Sequence, residues 1–100
     1  MGNLVAILTH ATRGEEVIVG HDSHVMMWET GSFASLGGVI PLALPTNRFG
    51  QLSLEAVESA IRSDNVHLPK TRMIHVENSY GVKYGYPIAV DYFSGIRHIA

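Results

Sequence analysis

Three short apolar runs, each separated from the next by a stretch of helical periodicity, constrain this chain most. They are Glu16-Val17-Ile18-Val19-Gly20, Val39-Ile40-Pro41-Leu42-Ala43-Leu44 and Arg72-Met73-Ile74-His75-Val76-Glu77. Runs of this length read as strands. Strands joined through helical crossovers pair in parallel, with right-handed connections. Near-continuous apolar character further suits a sheet covered on both faces. Pro41 cannot donate into a ladder, so the second run belongs at an edge.

The intervening segments supply the helices. Leu4, Val5, Ile7, Leu8 and Ala11 fall at helical spacing within Asn3 to Thr12, and Arg13-Gly14 stops that helix. Asp22 or Ser23 is placed to cap a second helix, running from His24 into the segment around Gly31. Gly37-Gly38 turns the chain, and Asn47 to Gly50 is a turn-rich loop. Ser53 caps an amphipathic helix with Leu54, Val57 and Ile61 inside and Glu55, Glu58 and Arg62 outside. After a glycine-tyrosine loop from Asn78 to Tyr86, Val90, Phe93, Ile96 and Ile99 mark a closing helix. The predicted order is α-β-α-β-α-β-α, an α/β fold with mainly parallel strands.

Three strands make a thin sheet with bare edges, and composition sharpens that point. At 100 residues the chain amounts to one small domain, yet only 16% of it is charged, against roughly 25% in an average protein. Small domains have much surface per unit volume and should be charge-rich. The chain therefore hides surface against partners or is a segment of something larger. A formal net charge of −2 gives no electrostatic case for nucleic acid or an anionic membrane. The absence of cysteine excludes a disulfide framework and a thiolate nucleophile. The apolar run Leu4 to Leu8 is too short for a signal peptide and lacks a basic flank. No window approaches the ~20 apolar residues of a membrane span, so a soluble, cytoplasmic protein is expected.

Chemistry is concentrated at three places. His21-Asp22-Ser23-His24 lies just past the carboxyl end of the first strand, the edge where open α/β sheets bind ligands. It can serve a ligand or, alternatively, cap a helix with both histidines on the surface; zinc through His21 and His24 lacks an obvious third ligand. Glu77-Asn78-Ser79-Tyr80-Gly81 follows the third strand onto the same edge, as a site or simply as a turn. Met1-Gly2-Asn3 opens a helix, where free N–H groups can receive a phosphate. The chain lacks a G-x-S-x-G elbow, a P-loop and a G-x-G-x-x-G loop. Its only lysines, Lys70 and Lys83, sit in no obvious apolar pocket. His75 is strand-borne, while His10, His67 and His98 read as surface residues.

Several separated motifs resemble one family. Met1-Gly2-Asn3-Leu4-Val5-Ala6, Thr9-His10-Ala11-Thr12-Arg13-Gly14-Glu15-Glu16-Val17-Ile18, Asp22-Ser23-His24, Asn65-Val66-His67-Leu68-Pro69-Lys70-Thr71 and Glu77-Asn78-Ser79 occur in the order found in low-specificity threonine aldolases. These belong to the wider group of threonine aldolases and β-eliminating lyases that use pyridoxal 5′-phosphate. The resemblance implies part of the large domain of an aspartate-aminotransferase-like (fold type I) enzyme, normally a homotetramer. It implies that His24 stacks on the cofactor ring and that the helix opening at Met1 and Gly2 aims its N-terminus at the cofactor phosphate.

The implied reaction is retro-aldol cleavage of a β-hydroxy amino acid, threonine or allo-threonine, to glycine and acetaldehyde. Tyr80 stands where the aldolases usually carry a histidine tied to the substrate hydroxyl, which makes it the candidate catalytic residue. A phenol of reference pKa ~10 is a poorer base near neutral pH than an imidazole at ~6.5. The family's Ser-Gly-Thr phosphate loop would precede Met1. Its Asp-Gly-Ala-Arg segment and Schiff-base lysine would follow Ala100. The expectation is a segment spanning residues 1–100 of the cofactor-binding domain, inactive alone. The rival expectation is a non-catalytic α/β module that binds a small anionic ligand.

Overall fold

The computed structural model describes residues 1–100. Its elements are α1 (Gly2–His10), β1 (Glu16–Gly20), α2 (His24–Met27), α3 (Ser32–Ser35), β2 (Ile40–Leu44), α4 (Leu54–Ala60), β3 (Thr71–Ile74), a 3₁₀ turn (Gly81–Lys83) and α5 (Val90–Ile99). The three strands form one sheet in the order β2-β1-β3, with both pairings parallel. Pro41 lies on an edge strand, as its missing N–H requires. Ile40 N–H donates to Glu15 C=O, so the next position along β2, Pro41, turns its nitrogen away from β1.

β1 is buried along its whole length, and its alternating side chains feed two cores. Val17 and Val19 join Ile7 and Ala11 of the α1 segment with Val25, Phe33 and Val39. Ile18 faces the other way, onto Leu52, Val57 of α4 and Ile96 of α5. Helices thus cover both faces of the central strand, as its apolar run implies, whereas Ile40, Pro41 and Ala43 of β2 stay exposed.

Three local expectations are corrected along the chain. The helix from His24 does not reach Gly31: it ends at Met27, and a second short helix begins at Ser32. Thr30 and Gly31 both take left-handed φ values of 58° and 61°, which no continuous right-handed helix contains. β3 stops at Ile74, opposite Ile18, rather than at Glu77, and the last contact of the ladder is His75 N–H to Ile18 C=O at 2.8 Å. On α5 Val90 is 79% exposed, and the inward face is Tyr92, Ile96 and Ile99.

After α4 one inward expectation fails: Ile61 follows the helix and is 39% exposed. Arg62 keeps the expected outward exposure, at 37% of its side chain, yet its guanidinium reaches Glu16. Its Nε lies 3.3 Å from Glu16 Oε1, and Nη2 lies 3.3 Å from Oε2. Thr71 Oγ1 donates to the same carboxylate at 3.2 Å. Glu16 is buried at the start of the central strand, so its charge needs a partner, and Arg62 is the one within reach.

Candidate functional site

The carboxyl ends of β1, β2 and β3 bring three loops together, and Asp22 ties them. Its Oδ1 accepts from Thr46 Oγ1 at 2.7 Å and from Tyr80 Oη at 2.8 Å, while Lys83 Nζ lies 2.7 Å from Oδ2. Burial alone would raise the Asp22 pKa; the bonds from Lys83, Thr46 and Tyr80 more than offset it and hold the carboxyl at about 2. Tyr80 is 2% exposed, and its pKa is pushed well up by burial and by the carboxylate it donates to. Its ring lies so close to the backbone that a Cβ at Gly20 or Gly50 would collide with it. Those glycines make room for the phenol to reach Asp22.

Glu77 links this knot to α2. Its Oε2 accepts from His24 N–H at 2.7 Å and its Oε1 from Gly81 N–H at 2.9 Å. The expected cap is thereby corrected. Ser23 occupies the N-cap position, but its side chain makes no capping bond and its buried Oγ has no partner. Asp22 is committed to Thr46, Tyr80 and Lys83. A carboxylate from 53 residues downstream satisfies the helix start instead.

On the α1 side, Met1, Leu4, His24, Trp28, Glu29, Thr30 and Ser32 line an open cleft of about 390 Å³. Glu29 spans it at the base: Oε1 accepts from Asn3 Nδ2 at 2.5 Å and lies 2.8 Å from His24 Nδ1. Burial would raise the Glu29 pKa, but the bonds from Asn3 and His24 hold it below the ordinary value. The carboxyl group is therefore ionised near neutral pH. Opposite, α1 opens without a side-chain cap; its first intrahelical bond is Val5 N–H to Met1 C=O. The N–H groups of Gly2, Asn3 and Leu4 thus have no acceptor within the helix. A Cβ at Gly2 would meet nothing within 4 Å, so the approach is clear. The His24 ring is about half exposed. This arrangement can take an anionic group at the helix start and a flat ring against the imidazole.

The structure brings Met1 and His24 into one cleft, with Gly2 at the start of the same helix. Tyr80 is not among the cleft residues; it connects to His24 through Asp22, two residues earlier in the chain than His24, and through Gly81 and Glu77. His21 and His24 are not gathered: His21 Nδ1 lies 3.7 Å from Asp22 and His24 turns to Glu29. His75 is buried, with no partner for Nδ1, and burial lowers its pKa. Neither lysine lines the cleft: Lys83 is paired with Asp22, and Lys70 precedes β3, at the opposite end of the sheet. Glu29, Thr46 and Lys83 are the site residues that sequence reasoning missed.

The beta-eliminating lyase family model matches residues 1–100. The chain belongs to that family. It is 37% identical over 103 residues to a probable low-specificity L-threonine aldolase 2 of Arabidopsis thaliana, covering all of this chain and 29% of that protein. It is 38% identical over 81 residues to the low specificity L-threonine aldolase of Escherichia coli (strain K12), covering 81% of this chain and 24% of that protein. An uncharacterized protein of Caenorhabditis elegans is 34% identical over 100 residues, all of this chain and 24% of its own length. The chain thus spans about a quarter of the length of the curated relatives it matches. The family is one of pyridoxal-phosphate-dependent lyases in general, and no helix of this chain is long and apolar enough to cross a membrane.

Proposed function

We propose that residues 1–100 are part of the cofactor-binding large domain of a pyridoxal-phosphate-dependent, aspartate-aminotransferase-like lyase. In that reading the full site cleaves a β-hydroxy amino acid such as threonine to glycine and acetaldehyde, within a homotetramer. The observation that carries it is the cleft between the uncapped start of α1 and the His24 ring, held to one width by Glu29. Those residues fit the cofactor: N–H groups at Gly2 and Asn3 for its phosphate, an imidazole to lie against its ring. When bound, the cofactor supplies an electron sink for the pair released as Cα–Cβ breaks.

This chain's residues bind and orient. The start of α1 fixes the phosphate end, and His24 restrains the ring against tilting. Tyr80 acts by position: its proton is given to Asp22 and its hydroxyl is buried, so it holds the 78–86 loop against the sheet edge and is unsuited as a base. With Lys83 paired and Lys70 at the far end of the sheet, no lysine of the chain is free to hold the cofactor covalently. The chain by itself therefore does not turn over.

Titrating pyridoxal phosphate into the 15N-labelled chain tests the reading. The expected result is movement of the Gly2, Asn3 and Leu4 amides and of the His24 ring, weakened by Gly2→Pro. No yellow absorbance of a lysine-held cofactor and no glycine from threonine should appear. Unmoved α1 amides at millimolar cofactor would overturn the binding reading. A yellow band lost on mutating Lys70 or Lys83 would overturn the claim of inactivity.

A further inference from the structure

Carboxylates and imidazoles that meet at hydrogen-bond distance constrain each other's protons. Glu29 Oε1 lies 2.8 Å from His24 Nδ1. An ionised carboxylate can only accept, so the ring nitrogen facing it must carry a hydrogen. A neutral imidazole carries one ring hydrogen, and if it sits on Nδ1 then Nε2 is left with a bare lone pair. Glu29 is itself held in place by Asn3 Nδ2 at 2.5 Å from the first turn of α1, and it keeps only 13% of its side-chain surface exposed. The backbone of His24 is pinned separately by Glu77. Ring and backbone are therefore fixed by two carboxylates from different parts of the chain.

We propose that Glu29 is a positioning residue that selects the Nδ1–H tautomer of His24, so that the cleft is lined by an imidazole whose Nε2 accepts a proton. The titratable groups around this pair are Glu77, whose Oε2 holds the His24 amide, the α-amino group of Met1 near Glu29, and buried His75, whose burial favours the neutral ring. None of these places an acceptor on Nε2, and that nitrogen stays available on a half-exposed ring.

The test is the ring 15N spectrum of the full chain near pH 8, with His24 assigned by comparison with His24→Gln. Nδ1 should resonate as a protonated nitrogen and Nε2 as an unprotonated one. In Glu29→Ala the two shifts should exchange, as the ring reverts to the Nε2–H form that an unsupported imidazole prefers. Glu29→Leu, which retains the bulk, repeats the comparison should the alanine variant fold poorly. An Nε2–H ring in the unmodified chain overturns the proposal, whatever the variants do. So does an Nδ1–H ring that persists without the carboxylate. Because this readout needs no ligand, it stands apart from the pyridoxal phosphate titration, whose failure would count against the lyase reading alone.

Discussion

Asp22→Asn isolates the ion pair at the centre of the site, because asparagine can still accept from Thr46 and Tyr80 but cannot pair with Lys83. The carboxyl titrates at about 2 in the folded chain against 3.8 when free. Converted at about 1.4 kcal/mol per tenfold change in proton affinity, that gap amounts to about 2 kcal/mol. Asp22 keeps 21% of its side-chain surface exposed, so solvent screening reduces the figure to about 1–2 kcal/mol.

The sign follows from linkage. A depressed carboxyl pKa contributes stability that is fully present above pH ~4, where the unfolded chain is also ionised, and is lost as pH falls toward 2. Urea denaturation across that range should show Asp22→Asn less stable than the parent by about 1–2 kcal/mol at neutral pH, the difference closing between pH 4 and 2. Lys83→Met should weaken the chain at neutral pH too, and the double variant should fall short of the sum, since both remove one interaction. A difference that stays constant from pH 6 to pH 2 would refute the assignment of the shift to this network.

At Gly50 the backbone has φ +80° and an added Cβ would come 2.7 Å from the Tyr80 Cβ, so Gly50→Ala should cost about 3 kcal/mol in chemical denaturation. The α2 start separates two candidate caps. Ser23→Ala should change stability by less than about 0.5 kcal/mol, because the lost hydroxyl is buried and unpaired. Glu77→Ala should cost about 1 kcal/mol or more, because it frees the His24 and Gly81 amides. Arg62→Met should destabilise by about 2–3 kcal/mol, because it strands the buried Glu16 carboxylate; Glu16→Gln in the same chain should recover part of that loss.

Much of this architecture is legible in the sequence, because β-branched runs and amphipathic spacing report burial directly. β1, the edge position of Pro41 and the Ser53 cap of α4 follow from local chemistry alone; Ser53 Oγ accepts from Ala56 N–H at 3.3 Å. What is not legible depends on contacts between distant segments. Ser23 has the chemistry of a cap, but a carboxylate outcompetes it, and nothing near Ser23 announces Glu77. Glu29 stands five residues beyond His24, a spacing that places no pair together on a helix; it reaches the imidazole only because the chain leaves α2 at Trp28. Tyr80 shows the converse. Its residue type suggested chemistry, whereas its burial between two glycines makes it structural support for the site.

The two flanks of the sheet differ in what they offer another strand. On the β2 side, Pro41 turns a nitrogen without hydrogen outward, leaving a gap in the row of donors. On the β3 side, Thr71–Ile74 pairs with β1 alone and borders an apolar trough lined by Ile61, Met73, Ile74 and Ile99. Lateral growth of this sheet is therefore directional. A strand added from any source gains both backbone pairing and buried apolar surface at β3, and forfeits one backbone bond at β2. The handling of the purified chain follows from the same asymmetry. A single charged side chain placed outward on β3 should raise its solubility more than the same change on β2.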